Sequence, residues 1–178
     1  QAITFSKMAD IICGHFTHQI FRHLLNSAGI MRFPEWQFDM VRLGIGLHGI
    51  AATPHEQKQL HFVATLKTTI SQIKTVKANQ TIGYSRKGIV TRDTLVATVA
   101  IGYADGLNRR LGSGIGSMLV HNKKCPIIGS VCMDMTMLDI TAVAAKEGDE
   151  VIVFGPGYSI VEMAKDLGTI PYEILTMV

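Results

Sequence analysis

Two tyrosines follow glycines at what read as strand ends: Tyr84 in Ile82-Gly83-Tyr84-Ser85, and Tyr103 in Gly102-Tyr103-Ala104-Asp105-Gly106. A phenol held at such a place can exchange a proton with a bound substrate. Its neighbours must first ease the proton off, because free tyrosine titrates near ~10. Taken singly, each tyrosine reads better as a packing residue, and Cys132-Met133-Asp134 as a routine piece of strand. Gly44-Ile45-Gly46-Leu47-His48-Gly49 matches GxGxxG, but a dinucleotide fingerprint needs a helix opening within it. Here the chain runs on to Ala51-Ala52-Thr53-Pro54 with no helical pattern. Two readings remain: a closely packed strand, or backbone amides near Gly44 that bind a phosphate. His15, His18 and His23 lack a carboxylate or cysteine at metal-ligand spacing, so they read as structural or surface histidines and no metal is expected.

The elements that must position these residues fall into two parts. Residues 1–53 read as mixed α/β. Asn26-Ser27 offers a helix cap after the apolar Phe21 to Leu25, and Met40 to Ile50 reads as a buried strand with its exit turn. Thr53-Pro54 and the polar run His55 to Gln59 read as a linker. Residues 54–178 are β-rich, with six to eight strands expected. Thr65 to Val76 alternates at Leu66, Thr68 and Ile70, and Leu95 to Ile101 is a second strand. Met118 to Ile128 reads as a hairpin around Asn122-Lys123, and Val131 to Leu138 as an alternating strand. Gly148-Asp149 is a turn before a strand at Val151 to Phe154. A helix opens on a Ser159/Glu162 capping box and closes at Gly168.

Nearly half of the residues are apolar (47%), enough to bury a core. A net charge of +3, with the basic residues scattered, argues against a nucleic-acid partner. No apolar run of spanning length or signal peptide is visible, which argues against a membrane partner. Three cysteines without a CxxC suit a reducing, cytoplasmic setting. The start at Gln1 and the stop at Val178 inside an apolar stretch read as a piece of a longer chain.

In combination the motifs say more. Asn26-Ser27-Ala28, Arg42-Leu43-Gly44-Ile45, Gly83-Tyr84, Gly102-Tyr103-Ala104-Asp105-Gly106, Val131-Cys132-Met133-Asp134 and Thr169-Ile170-Pro171-Tyr172-Glu173 occur in that order. Their order and spacing resemble the carboxyl-terminal half of the alanine racemase family, from about Asn26 onward. Tyr84-Ser85-Arg86 and Thr169-Ile170-Pro171-Tyr172 also resemble bifunctional proteins with a muramoyl-tripeptide D-alanyl-D-alanine ligase fused ahead of the racemase. The resemblance implies an α/β barrel remnant over 1–53 followed by a mainly-β domain over 54–178. It also implies a homodimer with active sites shared between subunits, pyridoxal 5'-phosphate (PLP) as cofactor, and interconversion of L- and D-alanine for peptidoglycan.

Residue by residue, the resemblance implies that Ser27, Gly44, Ile45 and Tyr172 bind the PLP phosphate. Arg42 matches the arginine facing the pyridine nitrogen. Arginine hardly ever gives up its proton, so it would weaken the ring as an electron sink. Tyr84 matches the tyrosine that serves one face of the substrate Cα. Met133 matches a backbone contact near the substrate carboxylate, and Tyr103 and Tyr172 match tyrosines that narrow the substrate entrance. His48 and Pro171 depart from the family's usual tyrosine and asparagine. The Lys-Ala-x-Ala-Tyr-Gly-His block of the family does not occur, so no lysine is nominated and this chain alone is expected to be inactive. Two other readings stay open: a β module that dimerises or docks without chemistry, and a PLP racemase of another amino acid.

Overall fold

A computed structural model describes every residue from Gln1 to Val178. The chain divides into two compact units, Gln1–Val63 and Ala64–Val178.

The first unit carries helices α1 (Ala2–Cys13), α2 (Ser27–Arg32) and α3 (Pro54–Gln57). Asn26 caps α2 as its sequence predicts, its side chain accepting from the Gly29 amide at 3.0 Å. Met40 to Ile50 is not the expected strand. Only Met40 pairs, in a parallel bridge with His23, and the chain then closes into a tight helical turn at Ile45–His48. The turn ends at Gly49, whose φ of 71° is left-handed and whose added Cβ would overlap the His61 carbonyl. Thr53 to Gln59 is likewise no open linker. Thr53 caps α3 by accepting from the Glu56 amide, and Gln57 bonds Gly49 and Ala51. Glu56 takes Arg32 of α2 in a two-pronged pair at 2.6 and 3.1 Å.

The second unit holds strands β1 (Leu66–Val76), β2 (Thr81–Ile82), β3 (Gly88–Ile89), β4 (Thr94–Val99), β5 (Ser117–Val120), β6 (Lys123–Pro126), β7 (Thr136–Asp139) and β8 (Glu150–Phe154), then helices α4 (Ile160–Leu167) and α5 (Pro171–Met177). Six strands form an antiparallel sheet in the order β6-β5-β8-β1-β4-β7, and β2 and β3 form a separate ribbon. The sheet nearly closes on itself: Ile127 bridges Leu138, and the Ile128 amide reaches the Met137 carbonyl at 2.8 Å. Strand β1 makes this possible. Its first residues pair with β8 and its later ones with β4, with an irregularity between Ile70 and Gln72. The inward positions Leu66, Thr68 and Ile70 accordingly give way to Ile73, a one-residue change of phase as a bulge requires.

Val99, Met118, Val120, Leu138, Ile140 and Val151 fill the interior. The β5–β6 turn falls at His121-Asn122, one residue earlier than the sequence suggests. Both residues have positive φ, 47° and 61°, the combination that fits the twist of paired strands. Helix α4 has the expected capping box and ends at Gly168 with φ 67°. No helix is long and apolar enough to cross a membrane.

The Arg32–Glu56 pair gives the first unit a testable pH dependence. The Arg32 hydrogen bond, helped by Thr53, holds the Glu56 carboxyl down to about 2. A depressed carboxyl contributes stability above its unfolded pKa of ~4.3, and that stability is lost as pH falls through the folded value. Thermal unfolding midpoints should therefore drop from pH about 5 to about 2, and Glu56→Gln should remove that part of the slope.

Candidate active site

In the first unit, Ser27, Gly44 and Ile45 come together. Ser27 opens α2, and its Oγ accepts from the Gly44 amide at 3.0 Å and the Gly46 amide at 3.2 Å. Gly44 permits this with an irregular backbone, φ −108° and ψ −102°. The Ile45 amide finds no acceptor in the protein. The donors left over at this turn are the Ile45 amide and the Ser27 hydroxyl proton, groups of the kind that meet an anion.

Arg42 lies beside this turn in sequence and is exposed, not buried on a strand as expected. Its amide donates to the Leu25 carbonyl at 2.9 Å and its Nη2 to the Leu24 carbonyl at 3.0 Å. No carboxylate pairs with it. The alternative partner, Asp39, belongs instead to Arg22, whose amide and guanidinium hold the Asp39 carboxyl below its usual range. Most of the five guanidinium N–H groups of Arg42 therefore remain to be offered to a ligand. They face a cavity of about 570 Å³ that Arg42 shares with Leu24, Asn26 and Trp36.

In the second unit, Tyr84 and Met133 line one open cavity of about 430 Å³, with Ile82, Asp134, Met135 and Met137. Tyr84 stands at the tip of the β2–β3 ribbon, 69% exposed. Below it the ribbon is anchored: Ile82 and Val90 are buried with Val96, Cys132 and Met137. At the tip the backbone is forced. Gly83 has φ 76°, and Ser85 and Arg86 have φ 57° and 53°. Two adjacent non-glycine residues in the left-handed region cost about 1–2 kcal/mol each, and such strain collects where a side chain must be aimed.

Cys132-Met133-Asp134 is a loop, not the strand its alternation suggests; β7 begins only at Thr136. The Cys132 amide turns back to the Met135 carbonyl at 3.0 Å. The Cys132 and Met133 carbonyls accept from the Tyr103 and Ala104 amides at 2.9 and 3.0 Å. Tyr103 is further fixed by the Arg109 guanidinium, 5.5 Å from its ring centre. Tyr172 sits half-exposed in the first turn of α5. Neither Tyr103 nor Tyr172 lines the Tyr84 cavity. The Gly102–Gly106 loop nonetheless touches both neighbours, because Gly106 packs on the Met177 carbonyl at the end of α5.

Sequence reasoning placed Met135 and Met137 only in the alternating stretch Val131 to Leu138 and Gly46 only in the GxGxxG match, naming none of them as site residues.

The comparisons with known proteins agree with one another. Residues 1–52 match the model of the alanine racemase N-terminal domain and residues 63–178 that of the alanine racemase C-terminal domain. The alanine racemase of Carboxydothermus hydrogenoformans is 40% identical over 192 residues, 99% of this chain and 52% of that protein. That of Desulfosudis oleivorans is 39% identical over 165 residues, 88% of this chain and 42% of its own length. Among solved structures, the alanine racemase of Clostridium difficile 630 superposes with a TM-score of 0.88 at 36% identity, covering 99% of this chain and 47% of that one. The Bacillus anthracis alanine racemase with bound L-Ala-P gives 0.86 at 33% identity, covering 98% and 47%. The chain thus spans about half the length of the relatives it matches.

The contact between the Gly102 and Met133 loops can be tested. A Cβ at Gly102 would overlap the Met133 and Cys132 carbonyls. Gly102→Ala should destabilise the protein by about 1–3 kcal/mol or more, read as a lower urea midpoint. An unchanged midpoint would mean that the two loops can separate without cost.

Proposed function

The chain belongs to the alanine racemase family, and on that premise we propose that it works within a PLP-dependent racemase that interconverts L- and D-alanine. The D-isomer would go to peptidoglycan. The observation that carries the reading is the Tyr84 phenol, held on a strained tip and sharing one cavity with Met133.

The residues fit the cofactor. Ser27 and the Ile45 amide offer donors to a phosphate, and Arg42 offers a guanidinium with no competing carboxylate. Tyr172 would complete the phosphate contacts with its hydroxyl. When bound, PLP acidifies the Cα–H of an amino acid by drawing electron density into its ring. Arg42 would face the pyridine nitrogen, donate to it and keep its own proton.

Racemisation takes a proton from one face of Cα and returns one to the other. Tyr84 would serve one face, its Oη moving that proton, and a second group must serve the opposite face. In a homodimer with shared sites, Tyr84 of one copy would act beside Arg42 of the other. Met133 would hold the substrate carboxylate region through its backbone. Tyr103 and Tyr172 would narrow the entrance, favouring a side chain as small as methyl. The proposed setting is the cytoplasm; the three cysteines are unpaired, as a reducing compartment keeps them.

In the full-length enzyme, Tyr84→Phe should slow racemisation ~10²–10⁴-fold in at least one direction, with PLP affinity near that of the wild type. Steady-state rates measured from both enantiomers decide it. Wild-type turnover of both would take Tyr84 out of the mechanism.

A further inference from the structure

After strand β4, the peptide unit that joins Ile101 to Gly102 is held from both ends. Its carbonyl accepts from Thr136 Oγ1 at 2.7 Å, and its N–H donates to Asp105 Oδ2 at 2.9 Å. Thr136, at the start of β7, is fully buried. Asp105 is exposed, and the Gly102 amide is the one protein partner of its carboxylate. The next two amides, of Tyr103 and Ala104, donate to the Cys132 and Met133 carbonyls. A planar trans peptide directs its N–H opposite to its C=O. The bond from Tyr103 to the Cys132 carbonyl therefore turns the Met133 N–H away from the Gly102 loop. That N–H finds no acceptor in the protein, and Met133 lines the cavity that holds Tyr84.

We propose that Asp105 and Thr136, neither of which touches substrate or cofactor, are positioning residues that clamp the Ile101–Gly102 peptide and so aim the Met133 N–H at a substrate carboxylate. The proposal rests on the reading that the Met133 backbone holds that carboxylate. Gly102 has no side chain to fix its own orientation, and its backbone must stay extended, φ −145° and ψ −164°, to lie against the Met133 carbonyl. Without Asp105 the Gly102 N–H has no acceptor in the protein, and without the Thr136 hydroxyl the Ile101 carbonyl has no donor. Either loss frees the peptide to rotate, and the Tyr103 and Ala104 amides that follow lose their aim at the Cys132–Met133 turn. A carboxylate senses this because it can only accept. An amine, which gains nothing from an N–H donor, does not.

The test uses the full-length enzyme with its cofactor and two competitive inhibitors. Propionate is alanine without its amino group, and ethylamine is alanine without its carboxylate. Asp105→Ala and Thr136→Val should each raise the propionate inhibition constant ~10-fold, with the ethylamine constant near that of the wild type. KM for both alanine enantiomers should rise by more than kcat falls, as loss of a contact made equally in ground and transition states requires. In protein carrying nitrogen-15 methionine, the Met133 amide resonance should move when propionate binds to the wild type, and should move less in both variants. Asp105→Asn keeps an acceptor and Thr136→Ser keeps a hydroxyl, so each should bring the propionate constant back to within ~3-fold of wild type.

An unchanged propionate constant in Asp105→Ala overturns the proposal, as do equal losses for propionate and ethylamine, or an Asp105→Asn as weak as Asp105→Ala. Should Asp105→Ala not fold, Thr136→Val and Thr136→Ser decide by the same comparisons. Failure of both Asp105→Ala and Thr136→Val to fold would reduce the clamp to stability alone and also overturn it. A wild-type Met133 resonance that ignores saturating propionate would sink the reading of Met133 itself, and the clamp's part in binding with it.

Discussion

The β unit depends on one close approach. The backbone at Gly102 lies so near the Cys132 and Met133 carbonyls that no side chain fits between them. The amides of Tyr103 and Ala104 complete the contact by donating to those same carbonyls. On its other side the Gly102–Gly106 loop packs at Gly106, φ 93°, against the last turn of α5, the helix that begins with Tyr172. A single loop of two glycines therefore sets Tyr103, Met133 and α5 relative to one another. Tyr84 joins the arrangement through the ribbon beneath it, whose Ile82 is buried with Cys132 and Met137.

The two units handle polarity in opposite ways. The first presents the Ile45 amide, the Ser27 hydroxyl proton and an arginine without an acid, all donors. Such a surface is costly unless an anion or water uses it, because unpaired donors lose the hydrogen bonds they had in solution. The second presents a phenol among methionines in a mostly apolar cavity. A donor-rich patch suits holding a charged group, and the open, methionine-lined cavity leaves the Tyr84 phenol accessible to a small molecule. The left-handed backbone at Ser85 and Arg86 belongs to the same economy: it spends conformational energy to keep Tyr84 out of the core that Ile82 enters.

Much of this was legible from the residues alone. Asn26 as a cap, the Ser159/Glu162 capping box and the closing Gly168 depend on neighbours three or four positions away, and all three form as read. The strands around Leu66 to Val76, Thr94 to Val99 and Glu150 to Phe154 follow from their own alternation or apolar runs. The Gly-Tyr-Ala-Asp-Gly and Cys-Met-Asp blocks stood out by their resemblance, in order and spacing, to the alanine racemase family.

What only the tertiary structure decided are the places where a distant partner competes with the local pattern. Val131 to Leu138 alternates as a strand, yet the Cys132 and Met133 carbonyls are claimed by Tyr103 and Ala104, some thirty positions earlier, and strand β7 is delayed to Thr136. Met40 to Ile50 is apolar enough for a strand, yet Ser27 Oγ draws the Gly44 and Gly46 amides into a tight turn. The His55 to Gln59 run is polar enough for a linker, yet Arg32 and Gly49 hold Glu56 and Gln57 in a capped helix. Periodicity records which face of a segment is apolar; it carries no information about which remote donor will meet a given carbonyl. Element types could therefore be read where local bonds decide them, and the aim of Tyr84, the freedom of Arg42 and the two amides that meet Ser27 Oγ could not.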